Sequence, residues 1–161
     1  MKSGSSSVAV IAMSILLVAC DQPEPVMSEQ EIAEFRKELP GITEKCLDII
    51  RMGGIDAVPI ETDKCFQMMP SRRWVGLWHD EFEEQRFCPS PANECSFDTP
   101  GERVWITFNR DVAAPTSTRA GAVYAVEFIG RRTLRPGHHG HLGVFDHAMI
   151  VDDVISLKRQ E

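Results

Sequence analysis

The sequence has no hydrophobic run long enough to cross a bilayer, no excess of basic residues and no Cys-x-x-Cys pair. Its main apolar run, residues 8–18, is shorter than the ~20 residues that a membrane-spanning helix needs. Acidic side chains number 24 against 17 basic ones. Because an acidic protein repels phosphate backbones, we expect no nucleic-acid partner. Without a Cys-x-x-Cys pair, a thioredoxin-like redox centre is not indicated.

The first twenty residues have the layout of an exported precursor. Lys2 precedes the apolar run, which ends in Leu17-Val18-Ala19-Cys20. These four residues resemble the lipobox of bacterial lipoproteins. That resemblance implies cleavage before Cys20 and attachment of fatty acids, such as palmitate, to this cysteine. We therefore predict a signal peptide at residues 1–19 and a mature lipoprotein that begins at Cys20.

Residues 20–27 contain two prolines and no helical pattern, which predicts a lipidated, extended tether. Two or three acyl chains hold a protein firmly at a bilayer. We therefore expect the bilayer as a partner, through the N-terminal anchor, and a location on the cell membrane facing the periplasm. Asp21 resembles the signal that retains lipoproteins in the inner membrane of enteric bacteria. It favours the inner membrane, with the outer membrane as the alternative.

Residues 28–161 are predicted to form a single globular domain. Ser28-x-x-Glu31 has the pattern of a capping box, and helical spacing of apolar residues follows it. This pattern predicts two short helices, or one kinked helix, within residues 28–52. We assign residues 28–72 to a helical and irregular part.

From residue 73 the apolar pattern changes to a period of two, which is typical of strands. Clusters of Pro, Gly, Asn and Asp separate five such runs, at residues 73–79, 85–88, 103–109, 123–129 and 149–157. The predicted fold class is α+β, with short N-terminal helices packed on a small five-stranded antiparallel OB-like β-barrel at residues 73–157.

A resemblance supports this barrel. It is carried by the segments Gly76–Glu83, Arg86–Pro89, Tyr124–Arg132, Gly140–Gly143 and Ile150–Ser156. Together they resemble an uncharacterised group of small proteobacterial proteins whose strand pattern is similar to an OB-like barrel. The similarity covers roughly residues 73–157. It implies a fold but no catalytic residues.

Four cysteines remain after lipidation of Cys20, namely Cys46, Cys65, Cys88 and Cys95. An even number in an exported chain indicates disulfides, because the periplasm is oxidising. Four cysteines allow three connectivities. We favour Cys46–Cys65 with Cys88–Cys95, which close the shortest loops, over the other two connectivities.

The segment from Pro136 to His147 is rich in histidine and glycine. An alternative to ordinary loop hydrogen bonding is a zinc or copper site that uses four of its side chains, His138, His139, His141 and His147. In an extended chain, His139 and His141 point to the same side. No His-Glu-x-x-His motif supports a metalloprotease.

These observations favour a binding module over an enzyme. The predicted function is a membrane-tethered periplasmic lipoprotein that binds a partner through the loops of its barrel, without catalytic residues and without a cofactor. The partner is expected to be another envelope protein, peptidoglycan or a small ligand. The alternative is a metal-binding protein or metalloenzyme that uses the histidine-rich loop.

Overall fold

The computed structural model describes residues 24–112 and 121–160. The predicted signal peptide and Cys20 therefore lie outside the described residues. Along the described chain, the elements are α1 (Glu29–Glu38), α2 (Glu44–Gly53), a 3-10 turn (Ile55–Ala57), α3 (Thr62–Cys65), β1 (Arg72–Asp80), β2 (Arg86–Pro89), β3 (Val104–Phe108), β4 (Ala122–Arg132), a second 3-10 turn (His141–Gly143) and β5 (His147–Arg159).

The five strands close into a barrel in the order β1-β2-β3-β5-β4, and β4 pairs with β1. This arrangement confirms the predicted α+β fold with a small OB-like barrel. The expectation of purely antiparallel pairing is wrong at one position, because β3 and β5 run parallel. Alternating apolar residues identify a strand but not the direction of its partner, so the sequence pattern does not distinguish the two arrangements.

Every second residue of β4 is buried, as expected for a strand with one face on a core. Inside the barrel, Phe87 and Phe128 are completely buried, and their ring centroids lie 5.1 Å apart. Gly76 and Gly130 leave room for these rings, since a Cβ at either position would lie within 3.0 Å of a phenylalanine side chain. The barrel thus has its own packed aromatic core.

The helical part has a separate core. Ser28 and Glu31 form the predicted capping box at the start of α1. A smaller set of buried residues lies between the helices: Ile32, Ile42, Cys46, Leu47, Ile50 and Cys65. The two helices have only ten residues each, which is too short for stability in isolation. Tertiary packing and the disulfide must therefore hold this layer in place.

Two disulfides join Cys46 to Cys65 and Cys88 to Cys95. The favoured connectivity is therefore confirmed. The first lies in the core of the helical part and the second closes the loop after β2. By the chain-entropy model, they contribute about 3 and about 2 kcal/mol respectively, because the first closes the longer loop.

The segment after α3 joins the helical part to the barrel. The backbone N–H of Met69 donates to the carbonyl of Arg132 at 2.7 Å, and that of Leu134 donates to the carbonyl of Gln67 at 2.7 Å. Arg131 adds an ion pair to Asp63, with Nη1 and Oδ2 3.1 Å apart. These contacts place the helical layer beside the end of β4, where the histidine-rich loop begins.

Candidate functional site

The histidine-rich loop (residues 136–147) folds as a small hairpin that packs onto the outside of the barrel. His139 and Phe145 exchange two backbone hydrogen bonds, of 2.9 and 3.1 Å. The ring of Phe145 is buried and packs edge-on against Trp105 of β3, with centroids 5.0 Å apart. A Cβ at Gly140 would lie 2.8 Å from the Trp105 ring, so only glycine permits this close approach.

His139 points inward, toward the helical part. Its side chain is buried, and its ring lies edge-on to Phe66 with centroids 4.8 Å apart. Burial, followed by the nearby His147, lowers the pKa of His139 to about 4. The imidazole is therefore neutral near pH 7, and its Nε2 has no hydrogen-bond partner within the described residues.

His147 is the first residue of β5 and is also buried. Its Nδ1 lies 3.0 Å from Thr133 Oγ1 and 3.1 Å from the Thr133 carbonyl oxygen. Its Nε2 lies 3.8 Å from Glu102 Oε1, while the other oxygen of that carboxylate accepts from Arg132 at 2.7 Å. Burial, followed by the charge of Arg132, lowers the pKa of His147. This histidine therefore connects the start of β5 to Thr133, just after β4, and to Glu102, just before β3.

His138 and His141 lie at the outer surface of the loop. His138 Nδ1 lies 3.2 Å from the carbonyl oxygen of Gly143. His141 reaches the turn after β1, where its Nε2 lies 3.4 Å from Glu83 Oε2. The loop is not extended, because the backbone turns through positive φ at Gly140 and again at Gly143. His139 and His141 consequently have different neighbours.

The predicted zinc or copper ligands are thus distributed over several environments. Within residues 24–112 and 121–160, the structure contains no group of three or more His, Cys, Asp or Glu side chains arranged to hold a metal ion. Two of the four histidines are buried against other protein groups. The arrangement offers hydrogen bonding and packing, and it does not by itself offer a coordination sphere.

The outermost part of the same loop is apolar. Leu142 is 83% exposed, and Phe82, in the turn after β1, is 78% exposed. Each is the sequence neighbour of one member of the Glu83–His141 contact, so the two loops meet at this point. We call this region the loop-tip surface and define it by Phe82, Glu83, His141 and Leu142.

The backbone of the loop-tip surface is strained. Glu83 has φ 64° and Leu142 has φ 52°, and they are the two non-glycine residues with positive φ in the part of the chain that the structure describes. For an ordinary side chain, this left-handed conformation costs about 1–2 kcal/mol. Leu142 therefore destabilises the native state through its backbone conformation. Because its side chain is almost completely exposed, little burial offsets this cost. Such conflicts are typical of functional sites.

The sequence pattern did not indicate these two hydrophobic residues. Phe82 lies inside an acidic run, and Leu142 lies between histidine and glycine, so both had the context of solvated turns. Only the Glu83–His141 contact and the backbone angles, which depend on the folded structure, associate these two residues with one site. The one sequence signal is a large apolar side chain in a segment dense with glycine.

The outer face of β2 and β3, which binds ligands in many OB-folds, is covered by the chain itself. Arg86 of β2 is buried, and its guanidinium donates to the carbonyls of Ser96 and Phe97 at 2.8 and 2.6 Å. Trp105 of β3 is covered by Phe145. Where these segments cover the strands, a ligand would have to displace them. Beside them, a half-open groove of about 400 Å³ is lined by Arg86, Cys88 and residues between β2 and β3.

A half-open groove of about 450 Å³ lies between α3 and the end of β3. Its charged lining side chains number three acidic and three basic, and four of them, Glu61, Asp63, Arg110 and Arg131, form ion pairs. Arg131 Nη2 lies 3.0 Å from Asp152 Oδ1, and Arg110 Nη2 lies 2.7 Å from Glu61 Oε1. Because the charges compensate locally, the groove does not select a ligand of either sign.

These features define a closed small barrel with a disulfide-bonded helical layer and an apolar loop-tip surface. Models of known protein families, curated proteins and solved structures contain no match to this chain. The described part of the chain contains no helix that is both long and apolar enough to cross a membrane.

Proposed function

We propose that the protein is a membrane-tethered periplasmic lipoprotein whose barrel is a non-catalytic binding module. In this proposal Cys20 carries the lipid, and the loop-tip surface contacts another protein of the cell envelope. Asp21 favours the inner membrane as the site of the anchor. The single observation that supports the binding role best is Leu142, a large apolar side chain that is exposed on a strained backbone.

The physical argument concerns rigidity and desolvation. The interface residues that contribute most to affinity are anchors that fill a well-packed, desolvated pocket on the partner, and aromatic side chains such as Phe82 are enriched at interfaces. Phe145 packs the base of the loop against Trp105, and the Glu83–His141 pair connects its tip to the neighbouring turn. Leu142 is therefore presented by a loop that is already ordered. Such preorganisation lowers the conformational entropy lost on binding.

A protein partner fits this surface better than peptidoglycan or a small ligand. The exposed groups are two apolar side chains beside one contact between a carboxylate and an imidazole, which suit an apolar pocket with a polar rim. They do not form a concave site that could enclose a small molecule. A metal-dependent function has no specific observation in its favour among the described residues, and we do not propose it as a second function.

The binding role is tested by photocrosslinking in living cells. A photoreactive phenylalanine analogue replaces Phe82, and the same analogue replaces Ile155 of β5 as a control at another exposed position. We expect one discrete protein adduct from position 82 and none from position 155. Adding Leu142→Asn must abolish the adduct, because the neighbouring apolar contact is lost. Equal adducts from both positions, or an adduct that survives Leu142→Asn, would contradict the proposal.

The anchor is tested separately. Cells supplied with a fatty-acid analogue should label the protein, and Cys20→Ser should remove that label. Labelling that persists in Cys20→Ser would exclude this cysteine as the lipid-bearing residue.

A further inference from the structure

The helical layer carries a second group of exposed apolar residues, far along the chain from the loop-tip surface. Val26, Met52 and Ile55 are all exposed. Val26 lies beside the end of α2, where a Cβ added to Gly54 would stand 3.9 Å from Val26 Cγ1. Met52 and Ile55 flank the Gly53-Gly54 pair in sequence. We call these three residues the tether-end patch.

Backbone hydrogen bonds of Val26 and Met27 attach the tether-end patch to α2. The backbone N–H groups of Val26 and Met27 donate to the carbonyl of Arg51, at 2.9 and 3.1 Å. This carbonyl belongs to the last turn of α2, whose carbonyls have no partner within the helix. Arg51 is itself held by Glu29, with Nε and Oε1 2.8 Å apart. The incoming chain and the end of α2 therefore form one unit.

The length of chain before Val26 limits where this patch can be. Five residues separate Cys20 from Val26, so even a fully extended connection reaches only about 20 Å. The lipid headgroup layer takes up about 5–7 Å of that distance. Once Cys20 is acylated, the patch is confined to a thin layer of space above the bilayer, where its effective concentration is high.

We infer that the tether-end patch docks on the lipid bilayer that holds the anchor. This inference rests on the proposed lipidation of Cys20. Docking places the side chains of Val26, Met52 and Ile55 at the headgroup boundary. It also orients the domain, because the helical layer then faces the membrane. The patch alone is too small to retain the protein, and the acyl chains supply the attachment.

The charges around the patch specify which bilayer it suits. Exposed carboxylates at Glu24, Glu29 and Asp56 flank it in sequence, and Arg51 is paired with Glu29 and Asp48. Acidic groups are repelled by anionic lipids. We therefore expect docking on a lipid surface with no net charge to be stronger than docking on an anionic one.

The test uses the full lipidated protein in vesicles of phosphatidylcholine. Ile55→Cys carries an environment-sensitive fluorophore, and Ile155→Cys is the matched control, since the two isoleucines are 54% and 48% exposed. We expect the emission at position 55 to shift to shorter wavelength. Nitroxide-bearing lipids should quench it several-fold more than at position 155. Val26→Ser with Met52→Ser should reduce this quenching several-fold while the protein still floats with the vesicles.

Adding phosphatidylglycerol to the vesicles should weaken the quenching at position 55. Protein that floats while the label at position 55 stays in water overturns the docking and leaves the anchor intact. Cys20→Ser should not float. A wild-type chain that also fails to float contradicts the anchor and the docking together. A wavelength shift that depends on protein density and survives removal of lipid by detergent assigns the patch to a second copy, and also overturns the inference.

Discussion

Phe128 and Leu142 are both large apolar residues, and the fold treats them in opposite ways. Phe128 is completely buried in the barrel and packs edge-on against Phe87. Leu142 lies at the loop tip with its side chain in solvent and a backbone φ of 52°. In the barrel, burial and backbone conformation both favour the native state. At the loop tip neither does, so the comparison separates residues that maintain the fold from residues available for binding.

The largest effect is expected inside the barrel. Phe128→Ala removes a completely buried ring, and such substitutions cost about 3–5 kcal/mol because they lose burial and leave a cavity. Denaturant unfolding should show this loss in a single transition. A loss below 1 kcal/mol would mean that the barrel core is not the main source of stability.

A smaller effect is expected at the base of the loop. Phe145→Ala removes the ring that packs on Trp105. We expect a loss near 3 kcal/mol, at the lower end for a buried phenylalanine, because a loop can collapse into the space. Hydrogen exchange should increase in residues 136–147 more than in β1 or β4. A uniform increase over the whole chain would show that loop and barrel are not separable.

Acid should destabilise the junction between the loop and the helical layer. The folded pKa of His139 is about 4, against about 6.5 in an unfolded chain. Between these values the unfolded state binds more protons, so stability is full above pH 6.5 and falls as the pH decreases toward 4. This histidine alone accounts for a loss of about 2 kcal/mol between pH 7 and pH 5.

His139→Phe isolates this contribution. Phenylalanine keeps the edge-on packing against Phe66 but cannot be protonated. His147, whose pKa is lowered in the same direction, remains in both proteins and serves as the internal control. The free energy of unfolding of the variant, measured at pH 7 and pH 5, should fall by about 2 kcal/mol less than that of the wild type. Parallel pH curves for the two proteins would contradict the assignment.

Much of the fold could be predicted from the sequence because local patterns specify it. The period-two runs predicted all five strands, and Ser28 with Glu31 predicted the start of α1. The parallel pairing of β3 with β5 could not be predicted, since it depends on chain connections that side-chain alternation does not encode. The disulfide pairs agreed with loop length.

The candidate site was less predictable. The spacing of the histidines indicates a candidate metal site, but their environments depend on positive φ at Gly140 and on the contacts of Phe145, which are tertiary features. Leu142 is distinguished from other apolar residues only by its exposure together with its backbone angle, and both are properties of the folded chain. Sequence patterns such as hydrophobic periodicity identify residues that stabilise the fold. They therefore cannot identify an apolar residue that is exposed and strained in the native state.

The most direct test of this account measures stability and binding on one variant, Leu142→Asn. Asparagine tolerates the left-handed backbone better than leucine, and little burial is lost, so we expect the free energy of unfolding to rise by about 0.5–1 kcal/mol. The same substitution should abolish the protein adduct from the photoreactive group at position 82. A variant that is less stable than the wild type, or one that keeps the adduct, would contradict the claim that Leu142 serves binding at the expense of folding.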